Sequence, residues 1–512
     1  MPDRSASETS LLHDVVRNCC SRAKDRFLGD STGVELGGER FLISVLALRR
    51  VLRRTLSDAD RRVGVLLPPS VGGALVNVAL ALDGRVAVGL NYSLTPRIMN
   101  LCLARAETGM VITSRAFMER LPIALDAEMV FVEDLRDAVS TMDKVAAAAM
   151  AKLPVNVLLK AIGRDHVPTS EPMTVVFTSG SAGEPKGVVL SYGNIQSSVM
   201  SAGQAILLAR EDVLLGILPF FHVFGYVFSL WAPLVLNVGI FYHPNPLEAD
   251  GIGRACRRSG ATILLTTPTF LRAYQRRVAP ADFASLEVII AGGEHMRPDL
   301  IDDVERTFGI RPVLGYGATE VSSLVCANLP PERVVPGSGM IWHEGTVGRP
   351  LPGIRVKVLE PETELDVPHG ESGMLWVAGG GVMLGYLGRP DDTARVVKDG
   401  WYATGDIVVI EEDGAVRIVG RLSRFAKIGG EMIPMAAVEE ELSRLVVVAT
   451  SDEGPSLAVV AMPDTLHGER LVVVHRPMTT TPVDLRRGVI AAGYPPLYAP
   501  STTDFYQVDA LP

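Results

Sequence analysis

The chain has 512 residues, too many for one ordinary hydrophobic core, so two or more domains are expected. Hydrophobic residues make up 47% and charged residues 21%, which excludes a disordered chain and describes a packed one. A net charge of −9 argues against a nucleic-acid partner, and five scattered cysteines without metal-ligand spacing suit a reducing, cytoplasmic compartment.

The N-terminal "MPDRSASETS" is polar and lacks the apolar core of a signal peptide. The neighbouring Cys19 and Cys20 read as ordinary helix packing. From about residue 60 to 330 the chain alternates apolar runs with helical stretches. "VGVLLP", "VAVGL", "MVITS", "TVVFTSG", "VLLGILP", "ATILLTT" and "LEVIIAGG" each end in Gly, Pro, Ser or Thr. Continuous apolar runs bounded in this way are strands buried on both faces. With helices such as "PDLIDDVERTFG" between them, they define an α/β chain with largely parallel sheets. Ligands of such sheets bind at the carboxyl ends of the strands.

Residues 141–164, "TMDKVAAAAMAKLPVNVLLKAIGR", read as an Ala/Leu helix carrying Lys144, Lys152, Lys160 and Arg164. A basic amphipathic helix can rest on a membrane surface, but a linker helix packed on the core is the commoner case and the one adopted. Residues 223–242, "VFGYVFSLWAPLVLNVGIFY", approach membrane-spanning length. Pro233, Asn237 and two glycines interrupt them, so a buried helix running into a buried strand is expected. Peripheral membrane contact stays open.

From 335 to 421 short strands alternate with Gly-rich turns, as in a small antiparallel barrel. Beyond Arg421 a helix, "PMAAVEEELSRLV", and two strands, "SLAVVAMPD" and "ERLVVVHRP", describe a small α+β domain over 422–512.

Four strand-end segments carry the chemistry. "TSGSAGEPKG" (178–187) follows the strand "MTVVF". Backbone N–H groups freed by glycine can wrap phosphate oxygens, with hydroxyls from Thr178, Ser179 and Ser181 and a charge from Lys186. It is not a Walker loop, because Gly187 follows the lysine. "GYGATE" (315–320) ends in a carboxylate suited to Mg²⁺. "GWYATGDIVV" (400–409) places Asp406 where it can accept both hydroxyls of a ribose. "GRLSRFAKIGGEMI" (420–433) lies at the domain boundary. Each alone also describes an ordinary surface turn.

Together, in this order and spacing, the four resemble the adenylate-forming superfamily of acyl-CoA synthetases, luciferases and peptide-synthetase adenylation domains. "RFAKIGGEMIP", "LPFFHVFGY", "AGGEHM" and "VGLNYSLTP" look more narrowly like the acyl-[acyl-carrier-protein] synthetase part of bacterial bifunctional acyltransferase/synthetases. The resemblance implies a large N-terminal domain (1–421) of two mostly parallel sheets with the small β subdomain, and a mobile C-terminal domain (422–512). It implies an acid–thiol ligase using ATP and Mg²⁺: a fatty acid becomes an acyl-adenylate, then passes to the phosphopantetheine thiol of acyl carrier protein or of CoA.

The implied roles follow residue by residue. Thr178, Ser179, Gly180, Ser181, Gly183 and Lys186 hold the β- and γ-phosphates, with Ala182 standing where the family usually has Thr. Thr319 contacts the α-phosphate and Glu320 binds Mg²⁺. Tyr316 and Gly317, with Gly292, Gly293 and Glu294, frame the adenine. Asp406 holds the ribose, with Arg421 nearby. His222 borders the acyl pocket and the thiol route, Ser423 matches the hinge, and Gly429 and Gly430 line the pantetheine tunnel. Arg421, Arg424 and Lys427 are candidates to meet an acidic carrier. The family's adenylation lysine follows a segment like "FYQVDALP", and the sequence ends at Pro512 before any such lysine, so weak adenylation by the chain as written is expected, with a non-catalytic nucleotide- or acyl-binding homologue as the alternative.

Overall fold

The structure, a computed structural model, describes residues 10–121, 123–178, 184–428, 431–446, 456–464, 468–509 and 511. Contacts divide the chain into two compact units, 1–356 with 377–403, and 357–376 with 404–512. The chain passes between them within the strands Arg355–Leu359, Gly373–Ala378 and Trp401–Ile410.

The first unit holds two mixed sheets whose centres are parallel. One runs through the strands 385–386, 186–191, 172–178, 86–89, 62–65, 110–113 and 128–131 in spatial order. The other has nine strands, in the order 349–350, 323–327, 313–318, 288–292, 263–266, 213–216, 239–242, 26–30 and 35–37. All seven apolar runs noted above are strands, and the helix Pro298–Phe308 ends on Gly309 in the left-handed conformation (φ 72°). The helix Val71–Asp83 shows why the sheets stay together. Ten of its 13 residues are buried, and an apolar helix of this kind needs cover on every side. It lies against Val86–Gly89 of one sheet and Arg26–Asp30 of the other.

Residues 223–242 form the expected helix-to-strand passage, with an added feature. Gly225–Trp231 is a π-helix that continues as the α-helix Ala232–Leu236, before the strand Gly239–Tyr242. Among the described residues no helix is long and apolar enough to cross a membrane.

Residues 141–164 differ from the single helix read in the sequence. They form two, Thr141–Ala151 and Val155–Ala161, because Pro154 lacks the N–H that would carry the first onward. The pair packs on the core as a linker does, burying Ala147, Ala151, Leu158 and Leu159. Ser140 and Asp143 close the first helix with a capping box, and Asp143 also receives Arg50 (2.9 Å) and Arg54 (2.8 Å).

Two short strands of the Gly-rich region belong to the large sheets. Arg349–Pro350 pairs with Ser323–Ala327, and Gly385–Tyr386 pairs with Lys186–Ser191. A two-residue strand has no periodicity to read, so only the pairing reveals it.

The second unit contains the strands Phe425–Ile428, Glu431–Pro434, Leu457–Asp464, Gly468–His475 and Phe505–Gln507 in one sheet. The helices Met435–Leu445 and Pro482–Ala491 pack Val438, Leu442, Leu485 and Val489 with Val459 and Val473. The helix and two strands read beyond Arg421 are all present.

Candidate active site

The strands Val288–Gly292 and Val313–Ala318 are parallel neighbours, and their register sets Gly292 opposite Gly315. A Cβ on Gly292 would lie 3.0 Å from the Gly315 carbonyl oxygen and 3.4 Å from the Phe224 ring. The two strand ends and the "HVFGY" turn therefore meet at one place. Gly293 follows at φ 84°, in open space that a Cβ would not fill, yet in a conformation other residues rarely adopt. Glu294 ties this exposed loop down, its carboxylate accepting bonds from the Thr269 N–H (3.1 Å) and hydroxyl (2.6 Å). Tyr316 lies next to Gly315, so the residues expected to frame a planar base come from adjacent strands. Gly317 has a different reason to be glycine. A Cβ there would sit 1.5 Å from the Ser323 carbonyl oxygen, so the close return of the chain demands it.

That return places Glu320. Thr319–Val321 is one tight turn, followed by Ser322 at φ 58° and Ser323 at φ 91°. Residues 379–383 clamp it: the Ser322 hydroxyl donates to the Gly381 carbonyl (2.7 Å), and the Met383 N–H donates to the Glu320 carbonyl (2.8 Å). The Tyr386 hydroxyl then donates to Glu320 Oε1 at 2.7 Å. Burial raises the Tyr386 pKa and the adjacent carboxylate adds to it, so the phenol stays a donor.

Lys186 Nζ lies over the Tyr386 ring, 4.9 Å from its centre, and 3.8 Å from Asp392 Oδ2. Arg389 joins Asp392 (3.3 Å) to Glu184 (2.7 Å), and Arg105 also holds Glu184 and the Pro185 carbonyl. Thr178 and Lys186 face each other across the antiparallel strands that enter and leave the loop expected to hold phosphates. Its centre, with Ser179, Gly180, Ser181 and Gly183, lies outside the described residues, as do Gly429 and Gly430. The stem, the lysine and Glu320 thus form one connected cluster through Tyr386. Sequence reasoning missed Tyr386, Asp392 and Arg389. Their signal was the polar run "GYLGRPDD" soon after the glycines of 379–381.

His222 stands at the turn between the strand Val213–Gly216 and the π-helix. The turn needs Gly225, where a Cβ would lie 2.2 Å from the Pro219 carbonyl oxygen. The imidazole packs on Phe221, 4.5 Å between ring centres. Its face is open to solvent, yet enough protein surrounds it to lower its pKa by desolvation.

Beneath these strand ends lies an apolar cavity. One wall is Phe224, Phe228, Ala232 and Leu236, at four-residue steps along the helix. Another is the sheet, from Leu265 and Ile290 near the strands' carboxyl ends to Leu214 and Ile263 near their starts. Every lining residue is apolar.

In the second unit Asp406 pairs in register with Arg421, whose Nε lies 3.5 Å from Asp406 Oδ1. Its N–H donates to the Thr404 hydroxyl at 3.0 Å. Ser423 is exposed in the short turn Leu422–Arg424. Arg424 bonds Glu439 (2.9 Å) and Lys427 pairs with Glu362, so each of the three candidate docking cations already has a carboxylate.

The donor set fits ATP with Mg²⁺. No group of three potential ligands occurs among the described residues, but Mg²⁺ commonly takes one or two carboxylates and completes its shell with phosphate oxygens and water. Glu320, held by Tyr386, is a carboxylate of the kind that could serve.

The sequence matches the model of the AMP-binding enzyme family over residues 32–387. It is similar to the long-chain-fatty-acid–CoA ligase of Yersinia pestis, 26% identical over 83% of this chain and 78% of that one. ATP-bound MatB from Rhodopseudomonas palustris has a similar fold, with TM-score 0.78 and 22% identity over 98% of this chain and 95% of that one. The o-succinylbenzoate CoA synthetase of Bacillus subtilis, in complex with its acyl-adenylate intermediate, gives 0.79 and 20% over 98% and 95%. The chain belongs to the AMP-binding enzyme family. It is an AMP-forming acid–thiol ligase whose cofactors are ATP and Mg²⁺.

Proposed function

We propose that the chain activates a fatty acid as its acyl-adenylate and passes the acyl group to a phosphopantetheine thiol. One observation carries the fatty-acid reading: the cavity under the strand ends has an apolar lining throughout. A second carboxylate or a phenol would be buried there without a partner, at a cost of roughly 2–7 kcal/mol. An alkyl chain has no such cost and gains about 0.8 kcal/mol per buried methylene.

A carboxylate is a poor electrophile, and joining its oxygen to the α-phosphorus of ATP makes that oxygen a leaving group. In this reading Lys186 and the loop from Thr178 hold the outer phosphates, Thr319 meets the α-phosphate, and Tyr386 keeps Glu320 aimed at the Mg²⁺ position. The ion would neutralise phosphate charge there. Gly292, Gly293, Glu294, Tyr316 and Gly317 bound the adenine. Asp406, backed by Arg421, takes the ribose. Neutral His222 lines the route of the thiol, Gly429 and Gly430 its tunnel, and Ser423 serves as hinge.

The likeness of "RFAKIGGEMIP" and "LPFFHVFGY" to acyl-carrier-protein synthetases favours a carrier protein as acceptor. A second reading, transfer to CoA, is favoured by the similarity to a fatty-acid–CoA ligase and by the pairing of Arg424 and Lys427. The unpaired cysteines, four of them buried, support work in the cytoplasm. Incubation with ATP, Mg²⁺ and acids of graded length, with holo carrier protein or CoA as acceptor, tests both steps. Pyrophosphate exchange that ignores fatty acids but follows an aromatic or dicarboxylic acid would overturn the fatty-acid reading.

A further inference from the structure

We propose that the outer face of the helices Thr141–Ala151 and Val155–Ala161 docks on an anionic phospholipid surface. The inner face of the pair is fully used by the core, whereas the outer face is apolar where a solvent-facing helix is usually charged. Met142 is 71% exposed, Val145 60% and Val157 49%. With the exposed Ala149, Met142 and Val145 form one stripe at spacings of three and four residues.

Lysines border that stripe. Lys144, Lys152 and Lys160 are exposed, and no Asp or Glu occurs from Lys144 to Arg164, in a chain whose net charge is −9. Nearby acids are largely engaged elsewhere. Asp143 is held by Arg50 and Arg54, Glu171 by Arg164 (2.8 Å), and Glu39 by Lys152. Lys144 and Lys160 have no acidic partner among the described residues.

The chemistry selects lipid over protein. Protein-docking surfaces rely on rigid aromatic and arginine anchors, and the outer face of these helices has neither. Small aliphatic side chains between long flexible lysines suit an interfacial helix instead. Met142, Val145 and Val157 would enter the acyl boundary while the ammonium groups reach phosphates. Each lysine near an anionic membrane strengthens binding by about 1 kcal/mol, roughly fivefold. The proposal rests on this surface alone and is independent of which acid the cavity takes.

Sedimentation of the full chain with phosphatidylcholine vesicles, with and without phosphatidylglycerol, tests it. Binding is expected only when phosphatidylglycerol is present, and high salt weakens it. K144E/K160E should lower binding twentyfold or more. M142S/V145S should lower it severalfold without changing the charge. These positions are exposed, so both variants should keep the parent's melting temperature and its adenylation of a short, water-soluble acid. Equal binding to both vesicle types, binding to neither, or parent-like binding by both variants would overturn the proposal. So would capture of an acidic carrier protein through the same lysines while vesicles are ignored.

Discussion

The strand-end cluster and the cavity beneath it lie in the same unit and recognise by opposite means. At the cluster each side chain has a named partner. Tyr386 donates to Glu320 at 2.7 Å, and Lys186 rests between Tyr386 and Asp392. In the cavity no lining residue offers a directed bond, and only volume and shape discriminate. The cluster should therefore be sensitive to single atoms and indifferent to chain length, whereas the cavity should behave the other way round.

The largest expected effect is at Glu320. Glu320→Gln keeps the shape and removes the charge, and should slow pyrophosphate exchange by about 10²–10³ for every acid alike. A loss confined to long acids would blur the contrast. Tyr386→Phe deletes one hydroxyl bonded to a carboxylate, an interaction of about 1.5–3 kcal/mol, and should cost tenfold or more. Excess Mg²⁺ should restore part of that loss if the tyrosine orients Glu320, and should not if it only supports the fold. Ala232→Trp, midway along the cavity wall, should weaken activation of the longest acids about tenfold to hundredfold and spare short ones. A uniform loss would mean that the cavity is not the acyl site.

Smaller effects involve protons. Desolvation lowers the His222 pKa from its usual 6.5, so the imidazole remains neutral somewhat below that pH. The unfolded chain takes up this proton first, and stability falls as pH drops through 6.5. His222→Gln should flatten that part of the stability profile and impair thiol transfer more than adenylation. The bonds from Arg54 and Arg50 hold the Asp143 pKa well below the carboxylate range, so its contribution is present near neutrality and lost in strong acid. Asp143→Asn should lower the melting temperature near neutral pH, with no change in pyrophosphate exchange.

The apolar runs that became parallel strands were readable because burial on both faces leaves an unbroken signature. Glu320 stands just past an apolar strand, as the letters suggest, whereas Asp406 lies inside the strand Trp401–Ile410 and not after a turn. Gly317 was readable as a glycine but with another cause, since the returning Ser323 carbonyl excludes any Cβ. Tyr386 was not legible. Its bond to Glu320 joins residues 66 positions apart, and Tyr386 itself stands in the two-residue strand Gly385–Tyr386. The break at Pro154 is written in the letters, but the Ala/Leu run on each side has the composition of one helix.

Local chemistry, written in consecutive residues, determined the strands, the turns, the candidate nucleotide contacts and the family likeness by itself. The cavity was decided by tertiary structure alone. Its walls come from residues as far apart as Ala202 and Leu351, and their Ala, Leu and Ile side chains are the same types that fill any core. Whether such residues close on one another or leave room for a substrate depends on how helices and strands pack, and a linear pattern does not encode packing distances.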